Sequence, residues 1–230
     1  MPGSNMPETT GSIRDLKEKL SILFSKKAPD EAISAICRMP LRKVVNALFP
    51  YFYSKDPLHF WLAITAMGAV VSLLAEENME SARVVMRRLM WNLNEESGGI
   101  GWGSAEAMGE IMARNSRMAD EYACILISYI NPCGNFIDHP ELQKGILWGL
   151  GRLAQDRPDR AAAASEFLIP FLSSPDPFLR GLAVWTASAL PGNATKPLLI
   201  RLSSDNEMIS LFVNGRICGR TIGSLAQSLP

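Results

Sequence analysis

The residue types best able to do chemistry in this 230-residue chain crowd into one segment. It reads Trp91-Asn92-Leu93-Asn94-Glu95-Glu96-Ser97-Gly98-Gly99-Ile100-Gly101-Trp102-Gly103-Ser104-Ala105-Glu106. Gly98, Gly99, Gly101 and Gly103 permit positive φ and close backbone approach. A glycine run ahead of a helix start also bares backbone N–H groups, which can cradle an anion. The spacing is neither a P-loop nor a dinucleotide fingerprint, because no Gly-Lys-Ser/Thr comes after it and no strand precedes. The adjoining acids would also repel phosphate.

Those acids suggest a different chemistry. Glu95 and Glu96 precede the glycines, and Glu106 and Glu110 stand four apart on one helix face. Four carboxylates beside the indoles of Trp91 and Trp102 could hold a cation, bind a partner's Arg or Lys, or do acid–base work. A plainer reading stays open: Glu106 favours the dipole of a first helical turn, and Glu110 pairs with Arg114. Asn92 and Asn94 belong to the same candidate binding set. Arg87 and Arg88, with Arg83, form a basic face on the preceding helix that would either rim the site or simply meet solvent.

Other candidates carry less. His59 and His139 have no Cys or second His at ligand spacing, so no metal site and no cofactor are expected. No nucleophile–base constellation accompanies Asp138-His139, which reads as a helix-entry turn, and no catalytic residue is assigned. Trp61, Trp148 and Trp185 fall on helices as packing or edge residues. Cys37, Cys124, Cys133 and Cys218 lie far apart with no CxxC. They read as reduced thiols of a cytoplasmic protein, Cys124 and Cys218 in the core and Cys133 in a loop.

Net charge is zero, with 23 basic and 23 acidic residues. Residues 51–150 hold seven Lys/Arg and twelve Asp/Glu, whereas both ends are mildly basic. That disfavours a nucleic-acid track and favours a cationic partner at the centre. Residues 1–11 read as a disordered tail without the features of a signal peptide. The longest apolar stretch, Phe60 to Ala75, is interrupted by Thr65, Gly68 and Ser72 and reads as a buried core helix rather than a bilayer span. No membrane association is expected.

The elements that must position the loop are helical throughout. Helices are expected over 12–25, 30–38 and 40–53, capping the N-terminal end of a repeat array. From Asp56 the chain repeats as helical hairpins: 57–76 with 81–93, 104–114 with a helix to Ile130, 140–155 with 159–172, and 175–190 with a helix to Leu202. A final helix is expected from near Asn206 to Gln227. A small residue recurs along each first helix, at Gly68, Gly109, Gly149 and Ser188, with Gly219 as a fifth. The first three intervals are 41, 40 and 39 residues. A two-helix period of that size marks an α-solenoid, whose first helices would cross closely at the small residues.

The fragment Asp176-Pro177-Phe178-Leu179-Arg180-Gly181-Leu182-Ala183 resembles the D-P-x-x-R-x-x-A opening of HEAT-like repeats, especially the phycobilisome-lyase type. The ending Asn214-Gly215-Arg216-Ile217-Cys218-Gly219-Arg220-Thr221-Ile222-Gly223 resembles a closing repeat. The resemblance implies an all-α, right-handed α-solenoid of antiparallel helical hairpins over 56–230, continuous with a cap at 12–55. Two repeats lack the opening motif, and the glycine loop replaces one of them.

Scaffold of this kind does not carry an activity. The reading favoured is a non-catalytic interaction scaffold. A partner protein would dock on a concave face lined by second helices and be fixed by loop 91–106, with Trp and Arg as anchors. The alternative is a small-molecule binder, or a lyase- or isomerase-like enzyme, using the acids of the same loop. A DNA-binding relative of the HEAT-like glycosylases is disfavoured by the acidic centre, so nucleic acid is not an expected partner.

Overall fold

A computed structural model describes residues 12–95, 101–191 and 193–227. The expected tail at 1–11 and the loop residues Glu96, Gly98 and Gly99 lie outside the described residues. The chain opens with α1 (Ile13–Lys26), α2 (Pro29–Ile36) and α3 (Leu41–Leu48), the last running into a 3-10 turn, Phe49–Tyr53. Then come α4 (Pro57–Glu77), α5 (Met79–Asn94), α6 (Ser104–Arg114), α7 (Ser116–Ser128) and α8 (Pro140–Asp156). The remaining helices are α9 (Pro158–Ala161), α10 (Ile169–Leu172), α11 (Pro177–Ser188), α12 (Lys196–Leu202) and α13 (Ile222–Ala226). Between α12 and α13 stand two strands, β1 (Met208–Val213) and β2 (Arg216–Thr221).

Side-chain caps set the helix starts. Ser12 and Asp15 form a reciprocal capping box on α1. Asp56 accepts from the backbone N–H of Leu58 and His59 ahead of Pro57, and Asp176 accepts from Phe178 ahead of Pro177. Asn78 and Asn115 each close one helix and cap the next, which gives the tight α4–α5 and α6–α7 turns. The Asp-Pro-x-x-Arg signature has a second use: Arg180 pairs with Asp205 at 2.9 Å and donates to the carbonyl of Ser174 at 2.7 Å, tying α11 to the chain end.

The first helices α4, α6, α8 and α11 pack side by side as the spine of an all-α solenoid. Gly109 and Gly149 do what the repeat predicts: a Cβ on Gly109 would collide with the Gly149 backbone, and one on Gly149 with the carbonyl of Ala105. α4 is the hydrophobic centre. Its 21 residues would suffice to cross a membrane by length and composition alone, contrary to the expectation from its interruptions, but most of them are buried against α3, α5 and α6.

Three expectations are corrected. The helix expected over 159–172 is broken into α9, a 3-10 turn at Ala162–Ala164 and α10, because Pro170 restarts the helix and Ser165 turns its hydroxyl onto the Ala162 carbonyl. Cys124 is exposed and Cys218 half-buried, so neither is a core residue.

The helix expected over 206–227 is instead an antiparallel hairpin with α13 after it. Its turn is Asn214-Gly215, with φ of 50° and 74°, the left-handed pair that two-residue hairpins need. Gly219 therefore lies on β2, opposite Ser210, and is no helix-crossing residue. Ile209, Leu211 and Phe212 of β1 are buried. Phe212 stacks on Trp61 of α4 at 5.0 Å between centroids with an interplanar angle of 3°, and its carbonyl accepts from Nε1 of Trp148 at 3.1 Å. The turn reaches α2, where a Cβ on Gly215 would lie 3.0 Å from Pro29. The hairpin thus crosses the first-helix face and joins the chain's end to its beginning.

Candidate functional site

The connection from α5 to α6 is shaped by two glycines. The backbone at Gly101 folds back on α5, so that a Cβ there would lie 2.7 Å from the Asn92 carbonyl oxygen. Gly103 caps α6 at φ 73°, and a Cβ on it would lie 2.7 Å from the Phe52 ring. Between them Trp102 is carried to the surface, 43% exposed.

Glu106 occupies the third position of α6. The backbone N–H groups of Gly103 and of Glu106 itself lie close enough to its carboxylate to favour the charged form. Its carboxyl group lies where α8 has no side chain: a Cβ on Gly145 would be 2.7 Å from Cδ and from both carboxylate oxygens. Burial pushes its pKa up to about 7, against the pull of those N–H groups. Among the described residues no charged neighbour contributes to the shift.

Glu106 and Trp102 open on a cavity of about 620 Å³. Its walls include Phe52, Phe60, Trp61, Trp148 and Phe178, which come from the cap, α4, α8 and α11. Lys144 and Glu141 also line it, but Lys144 is engaged: it pairs with Glu141 at 2.8 Å and Asp176 at 3.5 Å, and lies 5.6 Å from the centre of the Phe178 ring. Lys55, exposed, is a further basic lining residue.

Glu110, one turn on, belongs elsewhere. It is 3% exposed and bridges two arginines, Arg114 at 2.7 Å and Arg152 at 2.7 Å, with Arg152 also paired to Asp156. Burial opposes the Arg152 charge, but Glu110 and Asp156 outweigh it and hold the pKa above the ordinary range. This network lines a second cavity of about 570 Å³. Trp148 borders both cavities, and the hairpin borders both too, with Ser210 on the first and Phe212 to Gly215 on the second.

The sequence's candidate residues therefore separate. Gly101, Trp102 and Glu106 come together at the first cavity. Trp91 is 70% exposed and is no part of that cavity. Asn92 approaches the Ser104 hydroxyl at 3.5 Å, and Asn94 donates to the Met90 carbonyl and the Tyr129 hydroxyl; both brace the connection. Glu95 is half-buried and lines neither cavity. Arg87 pairs with Glu80 at 2.6 Å, Arg88 lies over the Phe49 ring and donates to Asn46, and Arg83 holds Glu121 through two bonds.

Both cavities are lined by first helices, where a face made by second helices was expected. The aromatic walls read as packing in the sequence. The signal that could have found them is their recurrence at first-helix starts: Phe60 and Trp61, Trp102, and Phe178. Among the described residues no three His, Cys, Asp or Glu side chains are grouped to hold a metal ion.

The comparisons with known proteins agree with this architecture. Residues 140–186, from α8 into α11, match the HEAT-like repeat. The match is to the repeat, not to the phycobilisome-lyase subgroup. A designed armadillo repeat protein shares the fold at a TM-score of 0.55 with 14% identity, over 97% of this chain and 94% of that one. A second designed armadillo repeat protein, in complex with a (KR)4 peptide, gives 0.55 and 15% identity over 97% and 93%. An engineered protein gives 0.53 and 17% over 93% and 94%. No curated protein sequence matches the chain.

Proposed function

We propose that this HEAT-like helical-repeat chain is a non-catalytic interaction scaffold that receives a segment of a partner protein in the first-helix cavity beside Trp102. The observation that carries the reading is the cavity itself. At about 620 Å³ it has room for a few side chains, and aromatic rings from four separate elements wall it. Trp102 is half exposed at its edge, the placement expected of an interface anchor. Solenoids of this shape can hold peptides, as the designed armadillo protein in complex with (KR)4 does; the support is at the level of fold. The partner surface is the first-helix side, since the arginines of α5 are already engaged by Glu80, Glu121, Asn46 and Phe49.

A displayed random-peptide library selected on the wild type, with Trp102→Ala as counter-selection, tests this. Enrichment of a common motif that the variant does not bind supports it. Enrichment that is indifferent to Trp102, or none, overturns it. A second reading, a small-molecule site, is favoured by the enclosed carboxyl of Glu106. Saturable quenching of tryptophan fluorescence by a metabolite fraction, lost in Trp102→Phe, would move the assignment there.

A further inference from the structure

We infer that the segment taken by the first cavity carries an arginine, whose guanidinium pairs with Glu106 against the aromatic walls while flanking apolar residues pack on Phe60 and Phe178. The inference rests on the docking reading above and adds the chemistry of the bound residue.

Charge complementarity picks the occupant. Glu106 faces an aromatic cavity, and among the described residues no cation lies in ion-pair range of it. The basic residues on the lining do not neutralise it: Lys144 is held by Glu141 and Asp176, and Lys55 is exposed. Once Glu106 is ionised, an anionic ligand would meet its carboxylate inside low-dielectric walls and be repelled. A cation gains twice, from the carboxylate and from the negative face of the part-exposed Trp102 indole.

Arginine suits this pair of surfaces better than lysine. Its planar fork takes a carboxylate through two parallel bonds and stacks on an indole, and it is less strongly hydrated than an ammonium. Packing of the Glu106 carboxyl against the bare backbone at Gly145 keeps it oriented while a partner approaches. The central hundred residues, with their acidic excess, add a long-range attraction of the same sign.

Linkage gives the inference a pH signature. A bound guanidinium requires ionised Glu106, which burial holds protonated up to about pH 7. Binding therefore releases a proton below that range, and affinity for arginine rises as pH is raised through it.

The test is a fluorescence-anisotropy titration of labelled, acetylated hexapeptides with leucine and phenylalanine flanking one central residue. That residue is arginine, lysine, citrulline or norleucine, and free arginine amide serves as a small-molecule arm. The expected result is that arginine binds roughly tenfold to a hundredfold tighter than citrulline, which has nearly its shape without its charge. The preference should grow from pH 6 to pH 8 and vanish in Glu106→Gln. Equal binding of arginine and citrulline by the wild type overturns the inference and leaves the docking reading standing, provided Trp102→Ala still abolishes both. Arginine amide binding as tightly as the peptide overturns the peptide source. Failure of every peptide overturns the inference too, and the display selection then decides the docking reading separately. The wild-type comparison needs no variant to fold.

Discussion

The Cγ of Glu110 fills the space that a side chain at Gly68 would need. The small residue in α4 thus serves a side chain of α6 rather than a bare crossing of two backbones. It makes room for a buried carboxylate that two arginines require.

Gly68→Ala is expected to destabilise by about 1–3 kcal/mol through overpacking. Glu110→Ala should cost about 3–5 kcal/mol, since it leaves two arginines without their shared carboxylate. In the double variant the methyl at 68 no longer meets Cγ, so the two costs should fall short of their sum. Denaturant midpoints of the four proteins measure this, and strict additivity would show that Gly68 serves something else.

Stability should also depend on Glu106 in a defined pH window. Its folded pKa of about 7 lies above the ordinary value of 4.5. The folded state therefore binds more protons than the unfolded one between those values, and this group's contribution is fully present below about pH 4.5 and lost as pH rises through 7. Glu106→Gln keeps a side chain of the same size and removes the titration. Its melting temperature should exceed the wild type's at pH 8 and match it near pH 4; an identical pH profile for the two proteins would rule the assignment out.

Removing the hairpin's anchor has a larger effect than its position near the chain end would suggest. Phe212→Ala should cost about 3–5 kcal/mol because the ring is buried against Trp61. Trp148→Phe loses the bond to the Phe212 carbonyl, about 1 kcal/mol beyond packing. Chemical denaturation with far-ultraviolet circular dichroism reads both. Wild-type midpoints would mean that the hairpin is dispensable.

Thiol accessibility checks the corrected cysteine placements. Cys124 and Cys133 are exposed, so two thiols should react rapidly with a disulfide reagent in the native protein. Cys37 should lag, because burial pushes its pKa up, with Arg114 opposing in part. One fast thiol instead of two would return Cys124 to the core.

The solenoid is legible because its signals are local and repeated. Asp56, Asn78, Asn115 and Asp176 announce helix starts, and Gly109 and Gly149 mark real close approaches. The hairpin reads as a helix although Asn214-Gly215 between two β-rich runs is a hairpin signal. Gly215, Gly219 and Gly223 recur every four residues and imitate a helical phase, and six-residue strands give alternation little length to appear. Glu110 parts from Glu106 for another reason. Spacing puts Glu106 and Glu110 on one helix face, but Trp148 and the hairpin stand between what they face. That partition depends on residues far away in sequence, and no local window holds it.

The hairpin clasp changes the mechanical character of the molecule. An open repeat array behaves as a spring: each unit leans only on its neighbours, terminal units fray first, and whole units can be inserted or deleted with little penalty. Here Phe212 grips Trp61 and Gly215 rests on Pro29, so the array is closed like a buckled strap. Its curvature is fixed, stretching must first open the buckle, and a duplicated repeat would put the tongue out of reach of its catch.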